Sequence, residues 1–361
     1  MELTTTFPIK KTTHSKISEV DFDHLEFGKY VSDHMLVCDY TNGQWQTPQI
    51  VPYANLSMSP STLALHYGQT VFEGMKAFRM SAGSSGDDGR INIFRMDRHY
   101  DRFIRSLERM CMQPIPKHIF VEGLLQLVEL DKDWVPSKAG DALYLRPFMI
   151  ASEAKFGVKV SDEYRFLIFT GPVPTLYASP IKVKVETNFI RAARGGTGYA
   201  KCGGNYGASY YPTRQARLEG YDQVLWTDAK ENKYIEESGM MNVLFVINDT
   251  LVTPPLSDSI LDGITRDSLL SLAREMGFPT EERPVSISEL EKAFKNGTIT
   301  EAFGAGTAAV VAPIKTIHIS GTDHQLPDYK DSNLLFKLKA RLEAIRSGST
   351  PDIFEWNYII S

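Results

Sequence analysis

The sequence predicts a two-domain protein of mixed α and β structure, and three observations carry that expectation. Its 361 residues exceed what one small core uses, taking about 150 residues per domain as a guide. Short runs of alternating or continuous apolar residues are interleaved with apolar stripes at three-to-four spacing, which are strand and helix periods respectively. The segment Gly171-Pro172-Val173-Pro174-Thr175-Leu176-Tyr177-Ala178-Ser179-Pro180 holds three prolines, which remove backbone donors and stiffen the chain as a connector does. These features divide the chain into a polar tail at 1–25, a smaller domain at 26–170, a connector at 171–180 and a larger domain at 181–361. Connectors of this kind often border ligand clefts.

In the first half, Met75 to Arg79 and Arg90 to Phe94 read as strands around Ser81 to Gly89, a stretch too polar and glycine-rich to pack, and so a hairpin tip. Asp97 is placed to cap a helix whose apolar residues Tyr100, Phe103, Ile104, Leu107 and Met110 share one face. Ile119 to Leu130 is a second helix, stopped ahead of Pro136, and Leu143 to Ile150 and Tyr164 to Thr170 read as buried strands. The second half opens with the alternating Ile181-Lys182-Val183-Lys184-Val185, followed by a glycine loop and a helix over Ser209 to Gly220. Strands are expected at Gln223 to Thr227, Met241 to Ile247 and Thr250 to Thr253. Ile264 to Met276 is a helix between Gly263 and Gly277, another starts at Ser288 and runs to Asn296-Gly297, and the last spans Asn333 to about Ile345.

Composition narrows the partners. An apolar fraction of 42%, a charged fraction of 23% and a net charge of -5 describe an ordinary globular chain with no electrostatic reason to bind nucleic acid or an anionic membrane. No run of apolar residues reaches the length of a membrane span, and Met1 to Pro8 has no signal-like core. Cys38, Cys111 and Cys202 are far apart and form no Cys-x-x-Cys pair, so reduced thiols in a cytoplasmic protein are expected. The eight histidines show no ligand spacing, so no metal is expected, and neither a nucleophile elbow nor a nucleotide-phosphate loop is present.

The most informative segment is Gly195-Gly196-Thr197-Gly198-Tyr199-Ala200-Lys201-Cys202-Gly203-Gly204-Asn205-Tyr206-Gly207, which sets one amine among six glycines. Without a Cβ the backbone can approach other groups closely, as an enzyme that bonds its lysine to an aldehyde cofactor requires. A flexible surface loop is the alternative. A pyridoxal phosphate site needs, besides the lysine, a carboxylate for the ring nitrogen, an anion hole and groups for the substrate carboxylate. Glu236 and Glu237 precede Ser238-Gly239 at a strand junction, and either could serve the first need. Gly263-Ile264-Thr265-Arg266 opens a helix, whose unpaired amides suit a phosphate. Phe303-Gly304-Ala305-Gly306-Thr307-Ala308-Ala309 runs into Val310-Val311-Ala312-Pro313, so it reads as a turn between strands and a possible anion nest. Phe94-Arg95 lies at a strand end, and Tyr144 and Arg146 fall on one face of an apolar strand. Such an arginine wants an anionic partner, from a ligand or from the protein itself.

Taken together, Leu65-His66-Tyr67-Gly68, Phe72-Glu73-Gly74-Met75-Lys76-Ala77-Phe78, Asp131-Lys132-Asp133-Trp134-Val135-Pro136, Tyr144-Leu145-Arg146-Pro147, Lys201-Cys202-Gly203-Gly204-Asn205-Tyr206, Glu237-Ser238-Gly239-Met240-Met241-Asn242 and Phe303-Gly304-Ala305-Gly306-Thr307-Ala308 resemble the branched-chain-amino-acid aminotransferases. The resemblance runs from about Phe27 to Ile345. It implies the α+β / α/β two-domain architecture of the fold type IV enzymes, with pyridoxal 5'-phosphate at the domain interface in the larger domain's grip. It further implies that Lys201 bonds the cofactor and carries the proton between the substrate α-carbon and cofactor C4′. Glu237, not Glu236, faces the ring nitrogen, Tyr206 meets the phenolic oxygen, and Arg95, the amides of Ile264 and Thr265, and Thr307 grip the phosphate. Tyr67, Phe72, Tyr144, Arg146 and the amides of Thr307 and Ala308 form the substrate pocket for amino acids and 2-oxo acids. Val158 lies in a loop that closes the partner subunit's pocket, so a homodimer is implied.

The implied reaction is a ping-pong exchange between leucine, isoleucine or valine and 2-oxoglutarate. Alternatives are a D-amino-acid aminotransferase or aminodeoxychorismate lyase of the same fold type, and a catalytically silent metabolite-binding homologue. Two positions depart from the family. Ala309 and Ala312 stand where vertebrate members carry a redox Cys-x-x-Cys, and Met240 stands where those members have threonine.

Overall fold

The structure, a computed structural model, describes residues 6–81, 89–176 and 179–360. The glycine-rich tip at 82–88 and the connector residues Tyr177 and Ala178 lie outside the described residues. The chain divides into two compact units, the first comprising Met1–Thr175, Ala200–Gly203 and Ala344–Ser361, the second Leu176–Tyr199 and Gly204–Glu343. The second domain is thus not the continuous 181–361 expected. Two contacts explain why: Cys202 forms an isolated bridge to Val71, and Asn357–Ile360 pairs with Ile91–Phe94 as a strand of the first unit's sheet.

The first unit is built on a nine-stranded sheet, ordered Asn357–Ile360, Ile91–Phe94, Met75–Arg79, Ala142–Ala151, Tyr164–Val173, His34–Thr41, Gln44–Trp45, with Gln49–Pro52 and Thr70–Phe72 paired off this path. The helices Met96–Arg109 and Lys117–Leu130 pack their apolar stripes on it. Phe103, Phe120 and Phe166 meet there with ring centroids 5.7 to 6.1 Å apart, large apolar rings whose removal from water drives the unit together. Asp97 does not cap its helix. Arg95, left-handed at φ 54°, holds the cap position, while Asp97 occupies the first turn, where a negative charge suits the helix dipole.

In the second unit a ten-stranded sheet closes on itself. Met241–Ile247, Ile299–Gly306, Val310–Ile319, Ile181–Glu186, Gln223–Thr227 and Tyr234–Ser238 pair in succession, and the last pairs back to the first. Inward-facing Val183, Leu225, Val243 and Ala312 fill the interior. The register sets Glu237 opposite Asn242, and Asn242 opposite Ala305, so three adjacent strands present one row at a barrel end. The Ile264–Glu275 helix starts from Gly263 with no side-chain cap. The next helix, Ile287–Asn296, is capped by Ser286 in place of Ser288, its side chain accepting from Glu289 N.

Candidate active site

In the first unit, the segment carrying Lys201 is fastened at three points. Phe72 N donates to Lys201 O at 3.0 Å, Lys201 N donates to Ser106 Oγ at 3.0 Å, and Cys202 forms the bridge to Val71. The Lys201 amine lies 4.8 Å from the centre of the Phe72 ring. Arg146 Cζ lies 4.8 Å from the same ring, and Arg146 Nη2 donates to Tyr144 Oη at 3.2 Å. Lys201, Phe72, Tyr144 and Arg146 therefore share one surface, with the amine and the guanidinium both against an aromatic platform. Phe27 adds an edge contact to Tyr144 at 5.2 Å. Tyr144 reaches this position because residue 74 is glycine: a Cβ there would sit 1.9 Å from Tyr144 Oη.

Beneath this surface lies a charged cluster that the sequence reading passed over. Arg102 donates from Nε to Glu73 Oε1 and from Nη2 to Glu73 Oε2, both at 2.8 Å, and His99 Nδ1 lies 2.8 Å from Glu73 Oε2. All three are buried. Burial alone would raise the Glu73 carboxyl, but the Arg102 guanidinium and the hydrogen bonds from Arg102 and His99 hold it well below the carboxylate range. Burial likewise keeps His99 down at about 4, against the pull of Glu73. His99, Arg102 and Ser106 fall three and four apart on the Met96–Arg109 helix, a polar stripe that could have been read beside the apolar one.

Arg95 sits at the cap position just ahead of that helix. Its guanidinium stacks 4.8 Å from the Trp356 ring and its backbone N donates to Trp356 O at 2.7 Å. Tyr67, at the end of the short Leu63–Tyr67 helix, and Val158 are exposed, Val158 beside exposed Phe156 and Val160.

The second unit gathers a different set. Glu237 is 2% exposed. Its Oε1 accepts from Leu261 N at 2.7 Å and from Asn242 Nδ2 at 3.4 Å, and its Oε2 pairs with Arg191 Nε at 3.1 Å. Glu237, Arg191, Asn205, Tyr206, Ser209, Gly239, Met240 and Leu261 line one small pocket. Glu236 faces other partners: Ser259 Oγ donates to it, and burial pushes its carboxyl up. Ile264 and Thr265 are buried at the start of their 12-residue helix. Asn242, which touches Glu237, also donates to Leu261 O at 2.9 Å, so the carboxylate and the turn leading to that helix are joined. Thr307 and Ala308 lie in the turn between the strands Ile299–Gly306 and Val310–Ile319.

Among the described residues no cluster of His, Cys, Asp or Glu could hold a metal ion, and no helix is long and apolar enough to cross a membrane.

The comparisons with known proteins agree on one family. The sequence profile of the amino-transferase class IV family matches residues 70–317. The chain is 46% identical to branched-chain-amino-acid transaminase 1 of Bacillus subtilis, over 96% of this chain and 97% of that one. It is 41% identical to branched-chain-amino-acid aminotransferase 2 of the same organism, over 95% and 94%. Its fold matches the branched-chain amino acid aminotransferase of Thermobaculum terrenum, solved in its PLP-form, with a TM-score of 0.72 at 21% identity, covering 91% of this chain and 98% of that one. With that fold, those relatives and a profile spanning most of its length, the chain belongs to the class IV aminotransferases, in the group of the branched-chain-amino-acid aminotransferases.

Proposed function

We propose that the protein moves the amino group of leucine, isoleucine or valine to 2-oxoglutarate, using pyridoxal 5'-phosphate and leaving branched-chain 2-oxo acids and L-glutamate. The observation that carries this reading is the shared platform: one amine and one guanidinium-phenol pair lie against the ring of Phe72. An apolar wall suits an aliphatic side chain, and Arg146 with Tyr144 Oη suits the carboxylate of the second substrate. One pocket can thus take both substrates in turn.

The donor set fits the cofactor. Lys201 offers the amine, Glu237 a buried carboxylate, Tyr206 a phenol in the same pocket, and Ile264 and Thr265 uncapped helix-start amides. When bound, the cofactor supplies a ring that takes up the electrons released at the substrate α-carbon. With the cofactor bound, Lys201 would move the proton from that carbon, and Glu237 would keep the ring nitrogen protonated. The family resemblance assigns phosphate and substrate contacts to Thr307 and Ala308, and a place in the apolar wall to Tyr67. The exposed Phe156, Val158 and Val160 suit a loop that covers the pocket of a second copy in a homodimer.

For the phosphate cation, Arg102 is the better assignment than Arg95. Lys201 is anchored at Ser106; Arg102 stands one turn away on the same helix, a rise of about 6 Å along the axis, whereas Arg95 precedes the helix start.

The test is chemical. L-leucine with 2-oxoglutarate should yield L-glutamate, D-amino acids should not react, and borohydride reduction followed by peptide mass spectrometry should find the cofactor on Lys201. A label on another lysine refutes the reading.

A further inference from the structure

We propose that Arg191 is a positioning residue for Glu237, holding the carboxylate in place and tying it to the glycine loop that precedes Lys201 in the chain. The proposal rests on the reading of Glu237 given above and extends it to a side chain that no sequence pattern marks.

Arg191 Nε lies 3.1 Å from Glu237 Oε2, with the two side chains 9% and 3% exposed. The same guanidinium uses Nη2 to donate to Gly198 O at 3.1 Å and to Ser259 O. One side chain therefore joins the strand Tyr234–Ser238, the glycine loop and the turn at 257–260. The junction depends on Gly198, where a Cβ would lie 2.6 Å from Ser259 Cα and 2.7 Å from Ser259 O. Only that close approach brings two carbonyls within reach of one nitrogen.

A planar guanidinium can satisfy a carboxylate and two carbonyls together, whereas a lysine is a single point of charge. Glu236 also feels that charge, but it is Glu237 whose oxygen lies at 3.1 Å from the guanidinium. Glu236 is bonded to Ser259 Oγ, and burial favours its neutral form. Glu237 is left as the partner of Arg191, with Leu261 N and Asn242 Nδ2 on its other oxygen. A buried carboxylate that loses its counter-charge is strongly penalised, so its position depends on Arg191.

The experiment is a double-mutant cycle on the holoenzyme, with Arg191→Gln, Glu237→Gln and the two combined. Turnover of leucine is measured alongside the pyridoxal phosphate dissociation constant, the latter by fluorescence titration of the cofactor-free protein. Arg191→Gln should lower kcat by about 30-fold or more while the dissociation constant moves far less, because the phosphate grip is intact. The combined variant should be no slower than Glu237→Gln, within about twofold. Losses that multiply, or a loss of cofactor binding as large as the loss of kcat, overturn the proposal. If Arg191→Gln does not fold, Arg191→Lys goes through the same cycle with the same criteria. Normal turnover in Glu237→Gln overturns the role of Glu237 itself, whereas normal turnover in Arg191→Gln beside a slow Glu237→Gln overturns only the proposal about Arg191.

Discussion

Phe72 holds Lys201 twice: its backbone N donates to Lys201 O at 3.0 Å, and its ring lies 4.8 Å from the Lys201 amine. Backbone and side chain of one residue thus set where the amine begins and what it rests on. Phe72→Leu keeps the first contact and removes the second. Loss of the π face should lower kcat/KM for leucine about tenfold, with near-normal thermal stability. Steady-state rates beside a melting curve would check both halves of that expectation.

Gly74→Ala would place a methyl group 1.9 Å from Tyr144 Oη and 2.8 Å from Tyr144 Cζ. The tyrosine must move, taking its bond to Arg146 with it. A stability loss of about 1–3 kcal/mol is expected, as for other overpacked sites, together with a raised KM for 2-oxoglutarate. Adding Tyr144→Phe removes the nearer clash and should restore part of the stability but none of the lost KM. Urea melts and substrate titrations of the two variants would show it.

Arg102→Lys keeps the charge but loses the two-pronged bond to Glu73. If Arg102 is the phosphate cation, the cofactor dissociation constant should rise about tenfold or more. Arg95→Lys, at the Trp356 contact, should leave it nearly unchanged. Titration of the two cofactor-free variants with pyridoxal phosphate decides between them.

The same cluster predicts a pH dependence of stability. His99 is held at about 4, below the ordinary 6.5, because burial disfavours its charged form. The unfolded chain therefore takes up a proton over this interval that the folded chain refuses, and stability is whole above 6.5 and drains away as the pH falls toward 4. Glu73 acts in the same sense at lower pH, since its folded carboxyl is held below 4.5. The His99 contribution is of order 3 kcal/mol. Urea midpoints taken from about pH 7 down to about pH 4 should fall, and the fall should be shallower in His99→Gln.

Deleting residues 351–361 should destabilise the first unit. The cut removes the strand paired with Ile91–Phe94 and the indole stacked on Arg95, and it leaves Arg95 N without its acceptor at Trp356 O. A loss of about 2 kcal/mol, or roughly 5 °C in melting temperature, is expected. An unchanged melting curve would show that the strand contributes nothing.

Much of this was legible in the chain because periodicity is local. The stripe from Tyr100 to Met110 gave the Met96–Arg109 helix, and alternation put Tyr144 and Arg146 on one face, where Arg146 Nη2 reaches Tyr144 Oη. Lys201 stood out through its glycines. Arg102 and Arg191 did not, since the first hides in a helix read for its apolar face and the second owes its place to carbonyls and a carboxylate far along the sequence. The Asn357–Ile360 strand gives no such local sign, because a four-residue strand declares itself through its partner.

The tetrapeptide 200–203 belongs with the first unit although its neighbours on both sides belong with the second. Recombination between homologues has to respect that inheritance. A chimera spliced at 175/176 would graft another protein's lysine segment onto this chain's Val71, Phe72 and Ser106. Parents that diverge at those three positions should yield hybrids with a misplaced amine unless residues 200–203 travel with the N-terminal donor.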